Sequence, residues 1–376
     1  MESNIKKLIP DYIAKLKPYV AGKPIEELAR EKNLTRITKL ASNENPLGPS
    51  PHAIREMTNA LWNVHRYPDM FAHDVKIAIS KLYKGIESKN IILGNGSEGI
   101  MAYIARAFIV PGDEVLTCEK TFIGFHILAR CAGSKVVLAP RLPDHRYDIN
   151  ALKEMVNDKT KVVYIANPDN PSGTYITENE FKDFMKVVPI HTIVILDEAY
   201  FEFAKSTVDY PDSMNFRFDN VITLRTFSKA FGIAGVRIGY GFAHPDFISA
   251  LHKVKLPFEP SLIAQKGAIG AITDHNHLER TLTNNSKRYY EAYQFLLDQK
   301  LSPIPSVTNF ITFKSGSLEA SNYLNENLLN EGVIIRPLAA NDMPEYMRVS
   351  IGLKHEMQHF YEAMLKVLPG FREKFQ

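Results

Sequence analysis

Between residues 75 and 245 short apolar runs alternate with helical stretches, and that alternation leaves few folds open to the chain. The runs are Ile91–Leu93, Glu114–Thr117, Lys135–Leu138, Lys161–Ile165, Thr192–Leu196, Val221–Leu224 and Arg237–Tyr240. Between them, Glu98–Phe108, Phe122–Ala132 and Glu178–Val187 read as helices. Runs so short and so continuously apolar fit strands buried on both faces, hence a mostly parallel sheet flanked by helices. Right-handed crossovers put the strand C-termini along one edge, where such sheets bind ligands.

At 376 residues the chain is long for one core, and the pattern changes outside this region. Residues 247–300 read as long helices, with Lys287–Leu297 the clearest. From 305 onward short strands (Phe310–Phe313, Val333–Ile335, Met347–Ser350) mix with helices (Leu318–Leu329, Glu356–Val367), an α+β pattern. Residues 1–35 read as short helices broken by Pro10, Pro18 and Pro24, and the Pro- and Asn-rich stretch 40–51 as a constrained loop. The expected division is an N-terminal arm at 1–45 belonging in part to the small domain, a large α/β domain at 46–275 and a small domain at 276–376.

A net charge of +3 without a dense basic stripe argues against nucleic acid or an anionic membrane as partner. No apolar run approaches membrane-spanning length, and the N-terminus lacks a signal-peptide core. Cys118 and Cys131 have no CxxC spacing, which favours a reducing compartment. The N-x-[ST] triplets at Asn33 and Asn284 then read as chance, and a soluble cytoplasmic protein is expected. His275-x-His277 reads as part of a polar turn, and no HExxH or P-loop pattern occurs, so no metal is expected.

The polar residues that follow the strands carry the chemistry. Ile91–Leu93 runs into Gly94-Asn-Gly-Ser-Glu98, where backbone N–H groups near Gly96 and Ser97 open a helix and form an anion nest. Lys161–Ile165 leads to Asn167-Pro-Asp-Asn-Pro-Ser-Gly173, a pinned loop that either aims Asn170 or makes Asx turns. Thr192–Leu196 ends in Asp197-Glu-Ala-Tyr200; a carboxylate there is costly to bury unless it faces a cation, the alternative being a helix N-cap. Val221–Leu224 delivers Thr226-Phe-Ser-Lys229 and, eight positions after the lysine, Arg237. In small and apolar surroundings a lysine amine is held neutral and nucleophilic; the alternative is a surface lysine. One ligand uses the whole set: pyridoxal 5′-phosphate. Its aldehyde needs the lysine, its phosphate the nest and Arg237, its ring nitrogen Asp197, and its phenolic oxygen Asn170 and Tyr200.

On these residues the chain resembles the fold-type I, aspartate-aminotransferase-like pyridoxal-phosphate enzymes, and among them the histidinol-phosphate aminotransferase family. The likeness covers nearly the whole chain: Pro18–Pro24, Lys39–Pro49, Arg66-Tyr-Pro68, Gly94–Gly99, Asn167–Gly173, Asp197–Tyr200, Ser228–Gly232 and Arg348–Gly352. It departs from the commoner pattern at Gly96-Ser97 and Ser172, where Ala-Asp and Thr are frequent. The resemblance implies that Lys229 joins the cofactor and then carries the proton between substrate Cα and cofactor C4′. Asp197 would keep the pyridine nitrogen protonated, Asn170 and Tyr200 would bind the phenolic oxygen, and Phe122 would stack on the ring. Gly96, Ser97, Thr226, Ser228 and Arg237 would hold the phosphate. Tyr67 would reach the phosphate of a neighbouring subunit, which implies a homodimer with shared sites. Arg348, with Arg336, Tyr19 and Asn45, would bind the acidic end of the substrates. Arg336 precedes Pro337 in what reads as a loop. The implied reaction exchanges the amino group between histidinol phosphate and 2-oxoglutarate, giving imidazole-acetol phosphate and glutamate in histidine biosynthesis. An aromatic amino acid as substrate, or decarboxylation of a phosphorylated amino acid, is the alternative on the same scaffold. A pyridoxal-phosphate-binding regulator is disfavoured, because no DNA-binding module is appended.

Overall fold

The computed structural model describes residues 7–16, 25–32 and 34–375. Its strands, in chain order, are β1 (Thr38–Lys39), β2 (Ile91–Gly94), β3 (Glu114–Cys118), β4 (Lys135–Ala139), β5 (Thr160–Ala166) and β6 (Ile193–Asp197). They continue with β7 (Val221–Thr226), β8 (Gly239–Phe242), β9 (Phe310–Lys314), β10 (Val333–Ile334), β11 (Arg336–Pro337) and β12 (Tyr346–Ser350). Strands β2 to β8 form one sheet in the order β2-β8-β7-β6-β5-β3-β4. The β4–β3–β5–β6–β7 ladder is parallel, and β8 runs antiparallel to both of its neighbours. The mostly parallel, helix-flanked sheet expected from the alternation is the one observed.

Side-chain alternation along the strands divides two cores between the faces of the sheet. Val162, Tyr164 and Ala166 of β5 join Ile193 and Ile195 of β6 under the helices Gly96–Phe108, Ile123–Cys131 and Pro245–Val254. Val163, Ile165, Val194 and Leu196 face the other way, onto the helices Ile149–Met155 and Glu178–Met185. At the β2/β8 end, Leu93, Tyr240 and Phe242 pack with the helices Pro51–Ala60 and Leu262–Thr273. The strand order reverses between β3 and β5: β4 lies outward of β3 on one side, and β5, β6 and β7 follow on the other. A crevice opens at such a reversal, outside the strand C-termini.

A smaller three-stranded antiparallel sheet, β11-β12-β9, packs against the helices Leu318–Asn330 and Lys354–Phe375 around Ile311, Phe313, Leu324, Met347 and Phe360. The long helix His275–Asp298 links the two sheets. At its start the His277 ring meets the Gly48 carbonyl at 3.1 Å, and near its end Ala292 and Leu296 enter the smaller core. His275 and His277 therefore open a helix, where a polar turn was expected. Two further expectations are corrected. The run Val333–Ile335 yields only the two-residue β10, which pairs with β1, and a separate strand β11 begins after it and pairs with β12, so Arg336 lies in a strand. Arg237 does not begin β8. It closes the turn Ala234–Val236 with φ of +56°, and β8 begins at Gly239.

Behind the cavity edge, Arg225 of β7 is fully buried. Its Nε donates to Glu198 Oε2 at 2.8 Å, Nη1 to the Tyr83 hydroxyl at 2.8 Å and Nη2 to Asp212 at 2.9 Å. Burial pushes the Glu198 carboxyl above its ordinary range, and Arg225 pulls against that. Replacing Arg225 by Met leaves a buried carboxylate unpaired, at a cost of about 3–5 kcal/mol, read as a lower denaturant midpoint. A folded-state carboxyl with a raised pKa loses stability as pH rises through that pKa. The deficit of Arg225→Met is therefore expected to be larger at pH 8 than at pH 5.5.

Candidate active site

The ends of β2, β3, β5, β6 and β7 and the approach to β8 line one cavity. Gly96, Ser97 and Glu98 come from the helix start after β2, and Phe122 from the segment after β3. Pro168 and Asn170 follow β5, Asp197 ends β6, and Ala199 and Tyr200 come just after it. Thr226 ends β7, followed by Ser228 and Lys229, and Arg237 precedes β8. An adjoining hollow shares Phe122, Asn170, Tyr200 and Lys229 and adds Ser42, Asn43, Ile123, Arg336, Asn341 and Arg348.

One end of the cavity is made for an anion. Gly96 has φ of +77°, and a Cβ there would stand 2.7 Å from Arg237 Nη2. Gly239 allows β8 to back directly onto the helix start, since its Cβ would lie 2.4 Å from the Ser97 nitrogen. Arg237 Nη1 donates to Ser228 Oγ at 3.3 Å and to the Ala234 carbonyl at 3.1 Å. Thr226 Oγ1 accepts from the Ser228 N–H at 3.1 Å. Backbone N–H groups at a helix start, two hydroxyls and a guanidinium thus surround one concavity, a donor set suited to a phosphate.

Asp197 lies deeper. Its register partner on β5 is Ala166, which puts Tyr164 on the same face two residues back. The Tyr164 hydroxyl donates to Asp197 Oδ2 at 2.8 Å, while Oδ1 is buried without a partner. The N-cap alternative fails, because the next helix, Phe201–Ala204, is capped at Tyr200 without a side-chain bond. Burial pushes the Asp197 carboxyl up to about 6, against the Tyr164 hydrogen bond. It is therefore an anion above about pH 6, with one acceptor free for a cationic N–H.

Lys229 is the nucleophile this arrangement offers. Its Nζ donates to the Ser42 carbonyl at 3.2 Å and stands 5.7 Å from the centre of the Tyr200 ring. Burial first, and then the cations Arg348 and Arg237, bring its pKa down to about 8, although Glu44 and Asp197 oppose them. Tyr200 accepts from Asn43 Nδ2 at 2.8 Å, and burial raises its hydroxyl to about 12, so it stays a donor. Arg348 Nη1 donates to Asn170 Oδ1, and Nη2 to the Ala41 carbonyl at 3.0 Å. Arginine only donates, so the amide carbonyl faces Arg348 and the NH2 group is turned to other acceptors. Arg336 and Arg348 are register partners on β11 and β12 and line the same hollow.

Two expected residues stand elsewhere, and a third is not described. Asn45 is a correction: its Nδ2 bridges the Ala230 carbonyl at 2.9 Å and Thr281 Oγ1 at 3.1 Å, apart from the cavity. Tyr67 is 80% exposed and stacks on Phe258 at 4.2 Å, so it does not enter its own chain's cavity. Tyr19 lies outside the described residues. Tyr164, Ser42, Asn43 and Asn341 went unnoticed in the sequence. The register of β5 against β6 is what reveals Tyr164, and no local signal marks the others.

The Aminotransferase class I and II family model matches residues 35–364. The histidinol-phosphate aminotransferase 2 of Carboxydothermus hydrogenoformans is 40% identical over 355 residues, 94% of this chain and 97% of that protein. The histidinol-phosphate aminotransferase 1 of Nitrosococcus oceani is 38% identical over 99% of this chain and all of its own length. Among solved structures, the Sinorhizobium meliloti histidinol-phosphate aminotransferase in complex with pyridoxal-5′-phosphate superposes with a TM-score of 0.87 at 29% identity. It covers 96% of this chain and 98% of that one. Aspartate aminotransferase of Thermus thermophilus shares the fold with a TM-score of 0.82 at 19% identity, over 96% of this chain and 99% of that one.

Because the Lys229 pKa is lowered from 10.5 to about 8, its neutral amine predominates above pH 8 in the ligand-free protein. Pulse labelling with an amine-acylating reagent and peptide mapping should give half-maximal reactivity of Lys229 near pH 8. Exposed lysines should still be gaining reactivity near pH 10.

Proposed function

The chain belongs to the class I and II aminotransferase family, and we propose that it uses pyridoxal 5′-phosphate to interconvert histidinol phosphate and 2-oxoglutarate with imidazole-acetol phosphate and glutamate. The cofactor fits the residues present: the unpartnered Asp197 Oδ1 suits its protonated ring nitrogen, and the concavity kept open by Gly96 suits its phosphate. When bound, it supplies a carbon that takes up the substrate amine and a ring that accepts the electrons released at Cα. Asp197 holds the proton on the ring nitrogen, and the Asn170 NH2 and Tyr200 hydroxyl donate to the phenolic oxygen. Phe122 packs on the ring face, and Arg237, Ser228, Thr226 and the N–H groups at Gly96 and Ser97 grip the phosphate. Lys229 Nζ, freed as an amine, would take the proton from substrate Cα and return it to C4′, on the far side of the nitrogen that joins the two carbons.

The observation that carries the substrate assignment is the pair Arg336 and Arg348, opposite each other in register and lining the same hollow as Lys229. Two fixed guanidinium groups suit the phosphate dianion of histidinol phosphate in one half-reaction and a carboxylate of glutamate in the other. Tyr19 is an added candidate for the same end of the substrate. The names of the relatives agree with this reading.

The active form we propose is a cytoplasmic homodimer in which Tyr67 completes the neighbour's phosphate site. Leu61, Trp62, Val64, Tyr67 and Phe71 are all exposed within one short segment, and Tyr67 stacks on the exposed Phe258. Apolar exposure of this density is characteristic of an interface.

In single-turnover half-reactions, kcat/KM for histidinol phosphate should exceed that for phenylalanine by at least about 100-fold, the worth of one or two charge-assisted hydrogen bonds. A preference for phenylalanine would replace this substrate with an aromatic amino acid, and release of CO2 from a phosphorylated amino acid would replace the reaction. Lys229→Ala should lose the bound-cofactor absorbance on dialysis against an amine. Sedimentation should give a dimer, and Tyr67→Ala should weaken cofactor retention without lowering the monomer's unfolding midpoint.

A further inference from the structure

Asp169 is fully buried and has no place in the chemistry described so far. It stands one position before Asn170, in the loop after β5. Its carboxylate reaches across the crevice to the loop after β3. There Thr121, the residue before Phe122, donates from Oγ1 to Asp169 Oδ1 at 2.5 Å. Arg141 Nη2 lies 3.0 Å from the same oxygen, and both side chains are almost wholly out of water. Oδ2 accepts from the Ser172 N–H at 3.2 Å and from Ser172 Oγ at 2.7 Å. The Asp169 N–H donates to the Thr174 carbonyl at 2.8 Å, and its own carbonyl accepts from the Gly173 N–H at 2.9 Å. The guanidinium is held as firmly. Nε donates to the Glu119 carbonyl at 2.7 Å and Nη1 to the His145 carbonyl at 2.6 Å, with the Tyr147 ring 4.7 Å away.

Such a pair is an expensive way to join two loops. Two charges removed from water lose hydration that their attraction only partly replaces, and a well-packed apolar pair often stabilises as much or more. What this junction provides, and an apolar contact does not, is direction: it comes from the hydrogen bonds of Thr121 and Ser172, while Arg141 supplies the neutralising charge without a hydrogen bond from its Nη2. Oδ2 is held by the N–H and hydroxyl of Ser172, and Oδ1 by the hydroxyls of Thr121 and, at 3.4 Å, Tyr147. The two residues next to this junction, Phe122 and Asn170, are those that face the cavity from either side of the strand-order reversal.

We propose that Asp169, neutralised by Arg141, is a positioning residue for the cofactor ring, fixing the separation and orientation of the stacking Phe122 and the phenolic-oxygen amide Asn170. The proposal rests on the reading of the cavity as a pyridoxal-phosphate site. Its consequence is that disturbing Asp169 changes how the ring is held, and the acidity of groups conjugated to it, while Lys229 still reacts.

The test uses the full-length protein, Asp169→Asn, and the doubly substituted Asp169→Leu with Arg141→Met, which removes both charges and guards against a misfolded single variant. Three quantities are read: the unfolding midpoint without cofactor, the Kd for pyridoxal 5′-phosphate, and the pH at which the bound-cofactor absorption band changes form. In the double variant the midpoint should stay near that of wild type. Kd should rise about 10-fold, and the spectral transition should move up by about one pH unit, because a hydrogen bond that favours the phenolate is weakened. Either folded variant with a wild-type Kd and an unmoved transition overturns the proposal, whatever its midpoint, because the ion pair is then a structural tie only. If the wild-type protein itself binds no pyridoxal 5′-phosphate, it is the reading of the cavity that fails.

Discussion

A carboxylate at the dry end of β6, with one oxygen left without a donor, governs the surroundings of the cavity. Burying that charge is unfavourable by several kcal/mol unless a cation or hydrogen-bond donors meet it. Tyr164 meets one oxygen from the neighbouring strand, the other is buried without a hydrogen-bond partner, and Asp197 lines the cavity together with Phe122, Asn170 and Lys229. The same dryness that raises the Asp197 carboxyl to about 6 lowers the Lys229 amine to about 8. Near pH 7 the acid is thus mostly ionised, while a usable share of the amine is already neutral. One desolvated crevice prepares an anion for a ring nitrogen and a nucleophile for a carbonyl carbon.

The large sheet and its binding edge were legible because strand and helix periods differ and alternate. All seven apolar runs became strands, displaced by at most two residues, and the residues just past them reached the cavity. Boundaries failed where local geometry overrode pattern. Ile-Gly-Tyr after Arg237 reads as a continuous strand, yet Arg237 takes a left-handed conformation so that its side chain can turn to the anion site. Val-Ile-Ile at 333–335 is a uniform β-branched run, but pairing with β1 stops at Ile334 and the chain passes to a second sheet from Arg336. Asn45 was a candidate by resemblance alone, for the acidic end of the substrate. Only the fold tells that its hydrogen bonds go to Ala230 and Thr281. Tyr164 was hidden for a related reason: in a buried strand a tyrosine is apolar filling until the register places a carboxylate beside it.

The loop at 40–45 has an unusual spread of partners. Leu40 packs in the smaller core and bonds to both β10 and β12 through its backbone. Ala41 accepts from Arg348, Ser42 from Lys229, and Asn43 donates to Tyr200 while its N–H meets Ser350. Asn309, just before β9, donates to the Asn43 carbonyl. These few residues connect Lys229, Tyr200 and Arg348 across both sheets. That explains why so short a stretch must be so constrained.

The arginine at 348 and the lysine at 229 are joined through a loop near residue 42, so the site draws on both ends of the polypeptide. During synthesis the large sheet is complete once residue 242 has left the ribosome, whereas β12 and its arginine arrive more than a hundred residues later. Chains are made at about 5–20 residues per second and domains tend to fold as they emerge, so for some seconds a finished sheet carries Lys229 and Asp197 without the strands that bring Arg336 and Arg348 beside them. In that interval the two arginines that β11 and β12 bring to the hollow are still missing. The hollow beside Lys229 is therefore closed last, by strands that the large sheet itself does not need.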